Sequence, residues 1–196
     1  MIKINMFLFP QMSICETPTL CALTGMPGTG KSTVSEILKN RLGTEWKILH
    51  ADDYINETFS KYGDEGKKWP QIRQNRPILI GVTVGPYLSQ GKNILVEGNL
   101  KDENEIKNLF DATKKTFEDE FNFKVVLLRG DFEMIVKRCV SDRGEEPQYG
   151  GLDKEDNCRR YLKDVCTNES IADVIIDVDG KSKDKIAGEV LKHIVS

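Results

Sequence analysis

Gly25-Met26-Pro27-Gly28-Thr29-Gly30-Lys31-Ser32 is the stretch of sequence that decides the fold. It fits the pattern G-x-x-x-x-G-K-[ST] at every fixed position. Glycines let the backbone curl close to an anion, so that several N–H groups point inward as an anion-binding nest. The Lys31 ammonium suits the outer phosphates of a nucleotide, and the Ser32 hydroxyl is a hard oxygen ligand suited to Mg²⁺. The stretch therefore predicts a phosphate-binding loop.

The sequence on both sides of this loop favours the same interpretation over a chance glycine-rich turn. The apolar run Leu20–Leu23 precedes the loop and predicts a strand. After the loop, apolar residues recur at helical spacing, which predicts a helix from about Lys31 to near Gly43. A phosphate-binding loop needs this strand before it and this helix after it.

Composition indicates one globular domain without a general attraction to nucleic acid or membranes. The chain has 196 residues, 39% hydrophobic and 30% charged, with a formal net charge of -3. Five cysteines form no C-x-x-C pair, and only two histidines are present, which disfavours a structural zinc site. We expect reduced thiols and a cytoplasmic protein. We expect residues 1–18 to form an N-terminal extension, either as an edge strand or as a disordered segment. Their apolar run is too short to span a bilayer.

Four further apolar runs alternate with helical patterns along residues 19–196. The predicted strands are Trp46–His50, Asn93–Glu97, Phe123–Leu128 and Val174–Val178. The predicted helical faces are Ile106–Phe121, Phe132–Val140 and Ile186–Ile194. This alternation predicts an α/β domain with a doubly wound parallel sheet. Trp69–Gln90 predicts an interrupted helix, because Pro77, Gly81 and Pro86 fall inside it.

Carboxylates follow the second and third predicted strands, at the sheet edge where ligands of such folds bind. Asp52 and Asp53 follow the second strand, and Glu97 ends the third. A carboxylate there can accept a proton from a phosphate acceptor or hold Mg²⁺. The alternatives are a helix N-cap for one aspartate and a lysine pair for Glu97. The candidate metal ligands are therefore Ser32, Asp52 and Glu97.

Arginines after the fourth strand predict a lid over about residues 142–158. Arg138 and Arg143 precede Gly144–Asp156, a stretch without apolar periodicity. A lid arginine would exclude water and neutralise charge on a transferred group. Arg159 and Arg160 fit a solvated helix end equally well.

Several spaced motifs together resemble the small P-loop kinases, the group that includes shikimate and gluconate kinases and 5′-hydroxyl polynucleotide kinases. The resemblance covers about residues 19–195. It rests on Gly25-Met26-Pro27-Gly28-Thr29-Gly30-Lys31-Ser32-Thr33, His50-Ala51-Asp52-Asp53-Tyr54, Val96-Glu97-Gly98-Asn99-Leu100, the stretch from Val136-Lys137-Arg138 to Arg143-Gly144, and Ile176-Asp177-Val178-Asp179-Gly180.

The resemblance implies a three-layer P-loop NTPase fold, with a five-stranded parallel sheet of order 2-3-1-4-5 between helices and a lid. It implies ATP and Mg²⁺, with Gly25–Thr33 holding the nucleotide. By position, Lys31 matches the phosphate lysine and Ser32 the magnesium hydroxyl. Asp52 matches the residue that orients or deprotonates the acceptor. Arg138 and Arg143 fall where the group carries lid arginines.

These features predict an ATP-dependent kinase that phosphorylates a hydroxyl of a small molecule, with Lys31, Asp52, Arg138 and Arg143 as catalytic residues. Alternatives are a polynucleotide 5′-hydroxyl kinase or a nucleoside or nucleotide kinase. The sequence has no extended basic stripe of the kind that would favour a nucleic-acid acceptor. A nucleotide-hydrolysing switch is a further alternative, although no N-K-x-D motif is present. Trp69–Val84 matches no known substrate signature, so the sequence leaves the acceptor open.

Overall fold

A computed structural model describes residues 17–55, 57, 68–143 and 154–195. The strands are β1 (Thr19–Gly25), β2 (Trp46–His50), β3 (Asn93–Glu97), β4 (Asn122–Arg129) and β5 (Val174–Asp177). The helices are α1 (Lys31–Leu42), α2 (Lys68–Leu88), α3 (Glu103–Lys114), α4 (Phe132–Arg143), α5 (Lys154–Asp164) and α6 (Lys183–Ile194). Three 3-10 turns span Gly43–Glu45, Ala51–Tyr54 and Glu169–Ile171.

The strands form one parallel sheet in the order β2-β3-β1-β4-β5, which confirms the predicted topology. β1 lies at the centre, and all seven of its residues are buried. The register pairs Glu97 with Leu23 of β1 and with His50 of β2. Because parallel strands end at the same edge, this register places the residues after β1, β2 and β3 side by side.

Two layers of helices cover the sheet, and alternate residues of β1 enter opposite cores. Leu20 and Ala22 pack on the face covered by α2 and α3. Cys21 and Leu23 pack on the face covered by α1 and α6. This alternation follows from the two-residue period of a strand, and it explains why β1 is apolar on both faces. A third cluster joins α4 to α5 beside the phosphate-binding loop.

α2 is one continuous helix from Lys68 to Leu88 with Pro77 and Pro86 inside it, so the predicted interruption is wrong. The glycines of α2 have a packing role instead. A Cβ added at Gly81 would lie 2.6 Å from the Leu109 carbonyl oxygen on α3. A Cβ at Gly85 would lie 2.1 Å from Thr116 Oγ1. Gly81 allows the close approach of α3, and Gly85 allows that of Thr116 just beyond the end of α3. Tertiary packing overrides the weak local helix preference.

Several predicted boundaries also need correction. The apolar face predicted through Phe121 is helical only to Lys114, and Phe117 and Phe121 lie beyond the helix end. Phe121 packs against Phe110 with ring centroids 5.4 Å apart, so aromatic packing beyond α3 continues the helical spacing. The stretch predicted as loop to Asp156 becomes helical at Lys154, where Glu155 and Asp156 suit the positive end of α5.

The ends of the chain leave one prediction open. Residues 1–16 of the predicted extension lie outside the described part of the chain. The Pro18 carbonyl accepts a hydrogen bond from Asn122 N at 2.9 Å, which joins the start of β1 to β4. The domain boundary near residue 18 stays a prediction. Within the described ranges, no helix combines the length and the apolar character needed to cross a bilayer.

Candidate active site

The loop between β1 and α1 is closed around the carbonyl oxygen of Met26. That oxygen accepts hydrogen bonds from Thr29 N at 3.3 Å, Thr29 Oγ1 at 2.9 Å and Lys31 Nζ at 3.1 Å. Gly28 takes a φ of 86°, and a Cβ there would lie 2.9 Å from Cys139 Sγ on α4. The loop therefore curls as the glycine pattern predicts, and glycine at position 28 lets α4 pack against it.

The N-terminus of α1 opens onto this loop without a side-chain cap. Its N-cap is Gly30, in the left-handed region with φ 89°, and no side chain accepts a hydrogen bond there. The first N–H groups of a helix lack intrahelical partners and lie at the positive end of its dipole. Lys31 is only 8% exposed, so its charge lies inside the loop. These features suit Gly25–Thr33 to phosphate, and nucleotide binding by these residues stays a prediction.

Ser32 and Glu97 bring two hard oxygen donors together at the start of α1. Ser32 Oγ donates to Glu97 Oε1 at 3.4 Å, and Glu97 Oε2 lies 2.9 Å from His50 Nδ1. Glu97 is buried, although Ser32 is exposed. The ion pair of Glu97 is with His50, whereas the alternative considered was a lysine. A hydroxyl and one carboxylate fit Mg²⁺, which keeps several waters and binds substrate phosphates as well.

Asp52 lies in the 3-10 turn after β2, and its side chain is 81% exposed. Arg76 Nη1 of α2 lies 3.2 Å from Asp52 Oδ1. Neither Asp52 nor Asp53 caps this turn, because its N-cap is His50 and no side chain bonds there. Within the described residues, no cluster of three histidine, cysteine or acidic side chains is arranged to hold a metal. The metal role of Asp52 therefore stays a prediction.

Arg76 is almost fully buried, although it carries a charge. Its Nη2 donates to the Asn99 carbonyl at 2.9 Å, while the buried Nε has no hydrogen-bond partner in the described part of the chain. A buried guanidinium is costly to desolvate unless its N–H groups are satisfied. Arg76 therefore holds Asp52 beside the end of β3. Burial of the Arg76 guanidinium costs desolvation free energy, and side-chain packing alone does not explain why a charge lies there.

The predicted lid arginines occupy different positions on α4. Arg138 is partly buried, next to Cys139, which contacts the phosphate-binding loop. Arg143 is the last residue of α4, and its side chain lies outside the described residues, as do residues 144–153 of the predicted lid. The catalytic roles of Arg138 and Arg143 stay predictions.

Arg159 joins α5 to α4 instead of facing the phosphate-binding loop. Its Nη1 lies 2.6 Å from Glu133 Oε1, and its Nη2 lies 2.7 Å from Glu155 Oε1. The Arg159 guanidinium lowers the pKa of the Glu133 carboxyl. Arg160 bonds its own helix through Asn157. These contacts match the interpretation of both arginines as part of a solvated charged helix, although both lie in the middle of α5 and not at its end.

Comparison with protein families identifies the chain. A family model described as AAA domain matches residues 22–162. The chain belongs to this family. Those residues contain the phosphate-binding loop, Asp52, Glu97 and Arg138.

Two relatives of this AAA domain are kinases by name. A probable gluconokinase of Rattus norvegicus is 30% identical over 152 residues, covering 66% of this chain and 75% of the relative. A shikimate kinase of Geobacter sulfurreducens is 27% identical over 193 residues, covering 93% and 94%. Together with the family match, they show that the chain is a kinase, a phosphotransferase, and the family implies ATP as phosphate donor.

A solved structure shares the fold. The APS kinase of Mycobacterium tuberculosis, solved with AMPPNP and APS, superposes with a TM-score of 0.64 at 15% identity. The superposition covers 92% of this chain and 99% of that one. At this identity the likeness concerns the three-layer architecture alone.

The sequence interpretation of this AAA domain missed three site residues: Arg76, His50 and Asn99. Arg76 had a signal, because it precedes the core residues Ile80 and Val84 at four-residue steps, which places a charge in an apolar helical stripe. His50 and Asn99 were quoted only as parts of motifs, and their partners come from other strands and helices.

Asn99 links the end of β3 to the segment after α5. Its Nδ2 donates to the Val165 carbonyl at 3.1 Å, and its Oδ1 accepts from Thr167 Oγ1 at 3.2 Å. The Asn99 carbonyl also accepts from Arg76. One residue therefore joins the Asp52–Arg76 pair to the C-terminal end of α5.

Proposed function

We propose that the protein transfers the γ-phosphoryl group of ATP to a hydroxyl of a small molecule bound beside Asp52. The observation that carries the proposal is the exposed Asp52 carboxylate, held by buried Arg76 at the sheet edge that also carries the phosphate-binding loop. A carboxylate that faces solvent and is fixed on one side can meet an acceptor hydroxyl on the other.

The chain's own residues have separate tasks in this reaction. Lys31 and the N-terminus of α1 bind and orient the β- and γ-phosphates, and Ser32 and Glu97 would hold Mg²⁺, which supplies charge neutralisation on the phosphate oxygens. Asp52 accepts the proton of the acceptor hydroxyl. As the acceptor oxygen bonds to the γ-phosphorus, the bond from that phosphorus to the bridging oxygen breaks, and ADP leaves with the electron pair.

The acceptor class is inferred from charge and from the relatives. Arg76 is a buried cation beside Asp52, and its Nε has no hydrogen-bond partner among the described residues, which favours an acceptor that carries an anionic group. The two relatives named above take their names from gluconate and shikimate, which are small hydroxy acids. A net charge of -3 gives no support for a polyanionic acceptor.

The test is an acceptor screen with labelled ATP and Mg²⁺, using small hydroxy acids, neutral sugars, nucleosides, nucleotides and 5′-hydroxyl oligonucleotides. We expect transfer to a small hydroxy acid. We also expect Asp52→Asn to lower kcat by about 10²- to 10⁴-fold, the usual contribution of a positioned proton acceptor.

Asp53→Asn is the matched control, because Asp53 is an exposed neighbour of the same type. It should leave transfer within about threefold of the wild type, because a surface carboxylate away from the reacting atoms contributes little. If none of the small acceptors becomes labelled, the proposal is contradicted. So does an Asp52→Asn variant with unchanged kcat. Hydrolysis of ATP or GTP that no acceptor accelerates would favour the nucleotide-hydrolysing switch.

A further inference from the structure

A chain of polar side chains runs across the ends of three elements beside the phosphate-binding loop. His50 Nδ1 at the end of β2 lies 2.9 Å from Glu97 Oε2 at the end of β3. Glu97 Oε1 then accepts from Ser32 Oγ at the start of α1. On its other side, His50 Nε2 lies 3.8 Å from Glu36 Oε1, one turn further along α1. His50 is therefore the direct partner of one oxygen of the Glu97 carboxylate.

The orientation of this carboxylate matters because its two oxygens have different neighbours. With a proton on Nδ1, His50 donates to Oε2, which leaves Oε1 turned toward Ser32. The terminal torsion of a glutamate is broad and roughly two-fold, so a carboxylate without a partner would rotate. Glu97 is 6% exposed, and little solvent is available to replace a lost partner. We infer that His50 is a positioning residue that holds Glu97 Oε1 toward Ser32 for Mg²⁺.

A purely structural role for His50 is the competing explanation. The backbone register of β2 and β3 is already fixed by parallel pairing from Trp46 with Asn93 through His50 with Glu97. The His50 side chain is 32% exposed and belongs to neither of the two apolar clusters that cover the sheet. Histidine and carboxylate contacts behind a metal ligand commonly set the ligand's orientation. Their loss lowers the affinity for the metal without unfolding the protein.

This inference rests on the proposed nucleotide and metal site but not on the acceptor. The experiment therefore measures binding, with Mn²⁺ as a spectroscopic substitute for Mg²⁺ and a non-hydrolysable ATP analogue as the nucleotide. Electron paramagnetic resonance reports free Mn²⁺, and calorimetry in EDTA reports metal-free binding of the nucleotide. Failure of acceptor phosphorylation would leave both measurements interpretable.

Three variants separate positioning from structure. His50→Leu removes the donor, and His50→Asn keeps a donor near the position of Nδ1. His193→Leu makes the same change at the exposed histidine of α6. We expect His50→Leu to weaken Mn²⁺ binding about 10-fold, the lower end of the effect of such partners. His50→Asn should stay within about threefold of the wild type, because it restores a hydrogen bond to the carboxylate. His193→Leu should match the wild type.

The metal-free affinity for the nucleotide should be equal in all four proteins. Unchanged Mn²⁺ binding in His50→Leu overturns the inference. An equal loss in His50→Leu and His50→Asn also overturns it, because the retained donor would then have no effect. A parallel loss of metal-free nucleotide binding in His50→Leu assigns His50 to the structure of the loop, which overturns the positioning role as well.

Discussion

Replacing Gly81 with alanine tests whether the close contact between α2 and α3 sets the position of α2, and with it that of Arg76. Gly81 is buried, and an added Cβ would lie 2.6 Å from the Leu109 carbonyl oxygen and 2.7 Å from the Ala112 Cβ. The backbone nitrogen of Thr113 would lie 3.0 Å away. Two of these three atoms belong to the backbone of α3 and cannot rotate aside, so the helices would have to separate.

Two opposing effects determine the magnitude. Alanine in a helix interior is favoured over glycine by about 1 kcal/mol. Overpacking of a close contact costs about 1–3 kcal/mol, and contacts with backbone atoms belong at the upper end of that range. We expect Gly81→Ala to lower the free energy of unfolding by about 2 kcal/mol. For a chain of this size, that loss lowers Tm by about 4–8 °C.

Gly188→Ala in α6 provides a matched control. There the nearest atom to an added Cβ is Arg41 Nη1, 3.9 Å away, so only the helix preference changes. We expect this variant to gain up to about 1 kcal/mol. Urea unfolding followed by circular dichroism measures both variants. If Gly81→Ala is as stable as Gly188→Ala, the packing role of Gly81 is wrong.

Three further predictions concern the loop, the thiols and an ion pair at the end of β4. Lys31→Met should weaken binding of an ATP analogue by about 10- to 100-fold, because a charge-assisted hydrogen bond to phosphate is lost; equal calorimetric affinities would contradict this. A maleimide should label exposed Cys166 in the native protein. Burial raises the pKa of Cys21 to about 12, so mass spectrometry should find Cys21 unlabelled until the chain unfolds; early labelling of Cys21 would refute its burial. The Arg129 guanidinium lowers the pKa of Asp177, so their pairing stabilises the fold above the unfolded pKa of about 3.9 and is lost as pH falls through the lower folded pKa. The Tm difference between wild type and Arg129→Met should therefore shrink below about pH 4, and a difference that grows on acidification would contradict the pairing.

Local patterns were sufficient to predict the phosphate-binding loop and the ends of most strands. The loop is predictable because its glycines, Lys31 and Ser32 act within one short segment. Asn93–Glu97 matches β3 at both ends, because a buried parallel strand has to be apolar on both faces. The order of the strands came from the resemblance to the small P-loop kinases, since spacing alone does not order a parallel sheet.

Contacts between distant segments were beyond the reach of local patterns. Arg76 lies 24 residues from Asp52 along the chain, and only the packing of α2 on the sheet brings them together. Pro77, Gly81 and Pro86 suggested a broken helix, because the sequence does not show that α3 approaches α2 at Gly81. The pairing of His50 with Glu97 depends on β2 lying beside β3. The sequence shows both residues but not that their strands are neighbours.

The central position of β1 has a consequence for the order in which the chain is synthesised. Of the strands that the structure describes, β1 is made first, but its neighbours in the sheet are β3 and β4, and Thr19 N bonds to the side chain of Asn93, 74 residues later. Until β3 leaves the ribosome, seven residues that are buried in the finished fold have no strand to pair with. The nascent chain therefore exposes its most fully buried strand during much of translation, when chaperone binding would protect it from aggregation. The strand that supports the phosphate-binding loop is thus made before both of the strands that enclose it.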